Sequence, residues 1–98
     1  MYISDYKIVK LLNKKGFDLP IKTTSPTVSD AIKWLLQKKN LFVQVDYCFD
    51  DFDKNKTAYF FPRIVNTKTT ENKRLMNQFS EPEKAEEYGI GYVLEKMV

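Results

Sequence analysis

The sequence contains no histidine at all, and that absence bounds its chemistry more tightly than any residue present. Without imidazole, neither a Ser-His nor a Cys-His nucleophile pair can be assembled, and no His-ligated zinc or iron site can form. A general base would have to be a carboxylate, lysine or tyrosine held away from its ordinary pKa. Cysteine is nearly as scarce. Cys48 is the sole thiol, so no intrachain disulfide is available. A secreted domain of this size ordinarily relies on paired cysteines, and the N-terminal stretch, broken by Asp5, Lys7 and Lys10, does not read as a signal peptide. No apolar run approaches the ~18 residues of a membrane-spanning helix. The expected address is the cytoplasm, with no membrane association.

What is present suits one small core. A chain of 98 residues is the size of a single domain. Folding a chain of this mass buries roughly 65% of its extended surface. The charge is distributed unevenly. Residues 1–45 hold eight lysines against three aspartates, a balance of +5, whereas residues 46–98 balance at −2. Such asymmetry can mark an acidic partner such as nucleic acid, but two solvated helical faces of different sign are the more ordinary reading.

Periodicity predicts a first helix from an N-cap at Ser4 to about Lys15, with Gly16 as its left-handed stop. Ile8, Leu11 and Leu12 form its apolar stripe, bordered by Tyr6 and Val9, while Lys7, Lys10 and Lys14 lie opposite. Pro20 and Pro26 keep the next stretch from becoming a long helix. Thr27 caps a second helix, with Asp30 placed for a capping box, and Val28, Ala31, Ile32, Leu35 and Leu36 follow the helical template. Trp34 sits beside that stripe, and Asn40 ends the helix.

From Leu41 to Phe49 the period changes to two, the mark of a half-buried strand. Thr57 to Val65 reads as a second aromatic strand, and the two make an antiparallel hairpin. Pro62 assigns the second strand to an edge or a bulge. Asn66 to Asn77 reads as a polar, mobile stretch, after which Leu75, Met76 and Phe79 offer a short third strand. Ser80 opens the last helix, with Pro82 in the first turn and Glu83 completing a capping box. Its stripe is Ala85, Tyr88, Gly89, Tyr92 and Val93, widened by Ile90, Leu94 and Met97. Gly89 and Gly91 each cost about 1 kcal/mol in a helix, so they imply close approach to the sheet. The fold class is therefore α+β: three helices on one face of a small antiparallel sheet, in the order α-α-β-β-(β)-α.

Several segments resemble a group of small uncharacterised proteins of bacteria and their phages. They are Lys15-Gly16-Phe17-Asp18 after a lysine-rich helix, Pro26-Thr27 with Ala31-Ile32-Lys33-Trp34-Leu35, the aromatic hairpin, and Glu87-Tyr88-Gly89-Ile90. The shared motifs are structural and transfer no functional residue. The resemblance implies an accessory protein of a phage or mobile element.

Four features are candidates for chemistry. Asp51-Phe52-Asp53-Lys54-Asn55 matches the opening of an EF-hand loop, but Lys56 replaces the turn glycine and Pro62 the bidentate glutamate. Asp46, Asp50, Asp51 and Asp53 lack a pocket to shift their pKa values, so no metal site, cofactor or catalytic residue is assigned. On the second strand, Phe60 turns to the core beside Ala58 and Ile64. That leaves Tyr59, Phe61 and Arg63 on the opposite face as protein-interaction candidates. The row Lys7, Lys10, Lys14, Lys15, joined by Lys33, Lys38 and Lys39, is the candidate for phosphate contacts, without the arginine that reads guanine. Cys48 has no basic neighbour in sequence and reads as a structural thiol. The expected function is a small non-enzymatic protein-interaction module, self-association included; the alternative is a nucleic-acid-binding accessory protein using the lysine-rich helices.

Overall fold

Each helix forms where apolar spacing meets a residue able to close its first turn. A computed structural model describes residues 2–17, 26–49 and 58–98, and places α1 at Tyr6–Lys14, α2 at Val28–Lys39 and α3 at Pro82–Lys96. In α2 the Thr27 hydroxyl accepts from the Asp30 amide at 3.1 Å, and Asn40 ends the helix in the left-handed region at φ 56°. The cap of α1 is Asp5 instead of the expected Ser4. Asp5 Oδ1 accepts from the Lys7 amide at 2.9 Å, because the Ser4 hydroxyl is engaged elsewhere, donating to Glu87. Gly16 follows with φ +100°, as its role as a stop requires. The cap of α3 is likewise displaced, from Ser80 to Glu81, and makes no side-chain bond. Pro82 disfavours helical geometry in the residue before it, so Glu81 stays extended and the proline becomes the first helical residue.

The strands are β1 (Leu41–Phe49), β2 (Ala58–Asn66) and β3 (Asn72–Arg74), antiparallel and in the order β1-β2-β3. Val45 lies opposite Pro62, Asp46 opposite Phe61, Gln44 opposite Arg63, and Arg63 opposite Arg74. The third strand is built from the polar stretch itself, earlier than Leu75–Phe79. Its composition serves the turn: Asn66 Oδ1 accepts from the amides of Lys68 and Thr69 at 3.0 and 3.2 Å, and Thr70 takes φ 63°. Leu75 is buried just beyond β3, and Phe79 makes an isolated bridge to Phe60.

Pro62 overturns the edge-strand expectation, since β2 is the central strand. Its carbonyl accepts from the Leu75 amide at 2.8 Å, so its backbone polar groups face the β3 side. Leu75 stands at the next rung of the ladder, but proline has no N–H to return the bond, and β3 ends at Arg74.

The core lies between the sheet and the helices, where Leu12, Leu35, Val43, Ile90, Val93 and Leu94 are fully buried. The stripe of α3 is centred on Ile90 and Leu94, whereas Tyr88 remains partly exposed. The difference arises because α3 meets the sheet on one side and α1 on another. A Cβ on Gly89 would lie 2.7 Å from Val43 Cγ1, and one on Gly91 would lie 3.2 Å from Ile8 Cδ1. Both contacts are closer than ordinary packing allows, which explains two glycines in one helix.

Candidate functional site

Strand alternation divides the sheet's side chains into two sets. Val43, Pro62 and Ile64 face Gly89 on the helix side. The opposite set is Phe42, Gln44, Asp46 and Cys48 of β1, Tyr59, Phe61, Arg63 and Val65 of β2, and Asn72 and Arg74 of β3. Phe42, at one end of this set, packs against the core and lines a hollow with Ser29, Ile32 and Lys33 of α2, whereas Asp46, Phe61, Arg63 and Arg74 are engaged with one another. The three interaction candidates therefore share one face, as their spacing implied.

At its centre a single carboxylate meets two guanidinium groups. Asp46 Oδ2 accepts from Arg63 Nε at 2.9 Å and from Arg74 Nε at 2.8 Å, and Arg63 Nη2 stands 2.8 Å from the same oxygen. Arg63 Nη1 donates to Asn72 Oδ1. The hydrogen bond from Arg63 holds the Asp46 carboxyl below its ordinary pKa; burial opposes the shift and Arg74 reinforces it. An ionised, doubly paired carboxylate is a poor proton acceptor, which removes Asp46 from the pool of general bases. Asp50, Asp51, Asp53 and Asn55 lie outside the described residues.

Arg74 also passes over Phe61, its guanidinium carbon 5.0 Å from the ring centroid. Phe61 is 7% exposed and stands apart from the main core cluster, so most of its surface is already covered. Tyr59 and Arg63 are the more accessible of the three candidates, each half-buried. Arg74 Nη2 lies 3.5 Å from the Cys48 sulfur, so the thiol does have a basic neighbour, contrary to the reading from sequence. The two residues are 26 positions apart and meet only through the three-stranded register. No local pattern signals Arg74 as a site residue.

The lysine row occupies a different surface. Lys7, Lys10 and Lys14 are exposed along α1, Lys15 is half-buried, and Lys10 lies over the Tyr6 ring at 4.8 Å. A groove of about 580 Å³ runs between α1 and α3, lined by Ile8, Tyr88, Gly91 and Tyr92 with Lys7 and Lys84 among its polar residues. Glu87 also lines it and is 6% exposed. Its carboxylate accepts from the Asp5 amide at 2.8 Å and from the Ser4 hydroxyl at 3.1 Å. This is a structural tie that sequence reasoning missed, because the partners are more than eighty residues apart. Among the described residues no group of His, Cys, Asp or Glu side chains could hold a metal ion, and no helix is long and apolar enough to cross a membrane.

No protein family, curated protein or solved structure matches the chain.

Proposed function

We propose that this chain is a small non-enzymatic interaction module, presenting the helix-free face of its sheet to another protein or to a second copy of itself. The reading is carried by one observation: the described helices lie on one side, leaving Tyr59, Phe61, Arg63 and Arg74 together on the other. Aromatic and arginine side chains on a rigid sheet are the groups on which interface energy concentrates. The resemblance seen in sequence favours such a module being an accessory protein of a phage or mobile element. Light scattering at micromolar concentration, alone and with candidate partners, tests the reading. A complex is expected, and Tyr59→Asp is expected to weaken it by about tenfold or more while the fold persists. A strict monomer that binds no protein would overturn it.

A second reading has its own support. Lys7, Lys10 and Lys14 project from α1 with no ion pair to a described carboxylate, as phosphate-binding lysines must. Binding of mixed DNA or RNA would then fall steeply with salt and disappear in the double variant Lys10→Glu, Lys14→Glu.

A further inference from the structure

We infer that the helix-free face takes a carboxylate-bearing segment of a different protein, anchored by Arg74; the inference rests on the interaction-module reading and names the partner's chemistry.

The described residues of this face carry one carboxylate, Asp46, and two guanidinium groups, Arg63 and Arg74. All three close nitrogen contacts fall on the same oxygen, Asp46 Oδ2. Arg63 is fully engaged, with Nε and Nη2 on Asp46 and Nη1 on Asn72. Arg74 is not. Its Nε is held by Asp46, its Nη2 reaches only a thiol, a weak acceptor, and its Nη1 has no partner among the described residues. Among the described residues of this face one positive charge is left without a counter-ion of its own, on a guanidinium that Asp46 and the Phe61 ring already hold in place.

That arrangement fits a carboxylate. A guanidinium presents parallel donors that match two carboxylate oxygens, and immobilising it beforehand removes much of the entropy cost of binding. The surroundings are apolar, with Tyr59 and Val65 half-buried on the same face and Phe61 buried between them, so the acidic group should sit beside apolar side chains in the partner. Two other occupants fit less well. A two-fold pairing of this face with itself would bring surplus positive charge against surplus positive charge. Nucleic acid would ask for a track of unpaired cations, and the described part of this face has one.

The test selects a displayed library of random twelve-residue peptides on the immobilised full chain, in parallel with Arg74→Glu. Enriched sequences are expected to carry Asp or Glu beside apolar residues. The best synthetic peptide should shift the amide resonances of Tyr59, Arg63 and Arg74. Arg74→Glu should weaken it by about tenfold or more, and replacing the acidic residue by lysine in the peptide should restore binding to that variant. Should Arg74→Glu fail to fold, Tyr59→Asp places a repelling charge on the same face without touching the Asp46 cluster and is expected to weaken the same peptide. Peptides that bind this face without acidic preference, or that bind both variants as well as the parent chain, overturn the inference and leave the interaction module standing. A chain that enriches no peptide and stays monomeric overturns both. Salt-sensitive binding of mixed RNA that shifts the same resonances would assign the face to phosphate instead.

Discussion

On the helix side of the sheet, Leu35, Val43, Ile90 and Leu94 are sealed among other apolar side chains, and the backbone of α3 comes close enough to exclude a Cβ at Gly89. On the opposite side, Phe61 is covered by a guanidinium that is itself pinned by a carboxylate. The first surface is held by shape and removal from water, the second by charge and hydrogen bonding over a thin aromatic layer. Apolar packing is not screened by simple salts and hardly responds to pH. Charge pairing is sensitive to both, and it leaves donors facing outward. The sheet therefore has a structural face and a face whose polar groups can still choose partners.

Truncating the packed side should give the largest effect. Leu35→Ala removes a fully buried side chain from the seam between α2 and the rest of the core, and is expected to cost about 2–5 kcal/mol. Chemical denaturation should show the same loss at low and high salt; a loss that shrank with salt would blur the distinction between the faces. Gly89→Ala should follow. Alanine favours a helix by about 1 kcal/mol, but its Cβ would meet Val43 Cγ1 at 2.7 Å and Pro62 Cβ at 3.2 Å. Overpacking of this kind costs about 1–3 kcal/mol, so a net lowering of Tm is expected. A rise would mean that α3 and the sheet separate more easily than their spacing implies.

The charged side gives an effect of a different kind. Asp46→Asn keeps the shape of the side chain but removes the charge on which Arg63 and Arg74 converge, at a cost of about 1–2 kcal/mol near pH 7. Its pH dependence follows from the sign of the shift. The folded Asp46 carboxyl titrates below its unfolded value, so its contribution is fully present above the unfolded pKa of about 3.9. It is lost as pH falls through the lower folded value. The Tm gap between the two proteins should thus be constant at neutral pH and close under acid conditions. A gap that persisted there would mean the asparagine acts by altering packing instead of charge.

Local signals in the sequence recovered the elements, while long-range partners decided the details. The α2 boundaries were legible because Thr27 and Asn40 act on their own neighbours. The cap of α1 was misplaced by one residue because Ser4 answers to Glu87, a group no window around Ser4 contains. The position of Pro62 was misjudged for a related reason: whether a proline's missing donor matters depends on where a neighbouring strand stops. Alternation along β2 correctly grouped Tyr59, Phe61 and Arg63. It could not reveal that Arg74 covers Phe61 or stands beside Cys48, because that proximity exists only once three strands are in register.

The tie between Glu87 and the segment before α1 also bears on how the chain acquires its structure during synthesis. Ser4 and Asp5 leave the ribosome early, and the carboxylate that fastens them follows 83 and 82 residues later. Ile8 meets Gly91 across a similar interval, so until α3 is made the segment before α1 has only its bridge to Pro26 and Thr27. Contacts of such high sequence separation form late and close large loops. The nascent chain must then carry the apolar stripe of α1 partly uncovered until α3 has been made. Its lysines, crowded on the outer side of the same helix, would keep that waiting segment in solution until the last helix arrives.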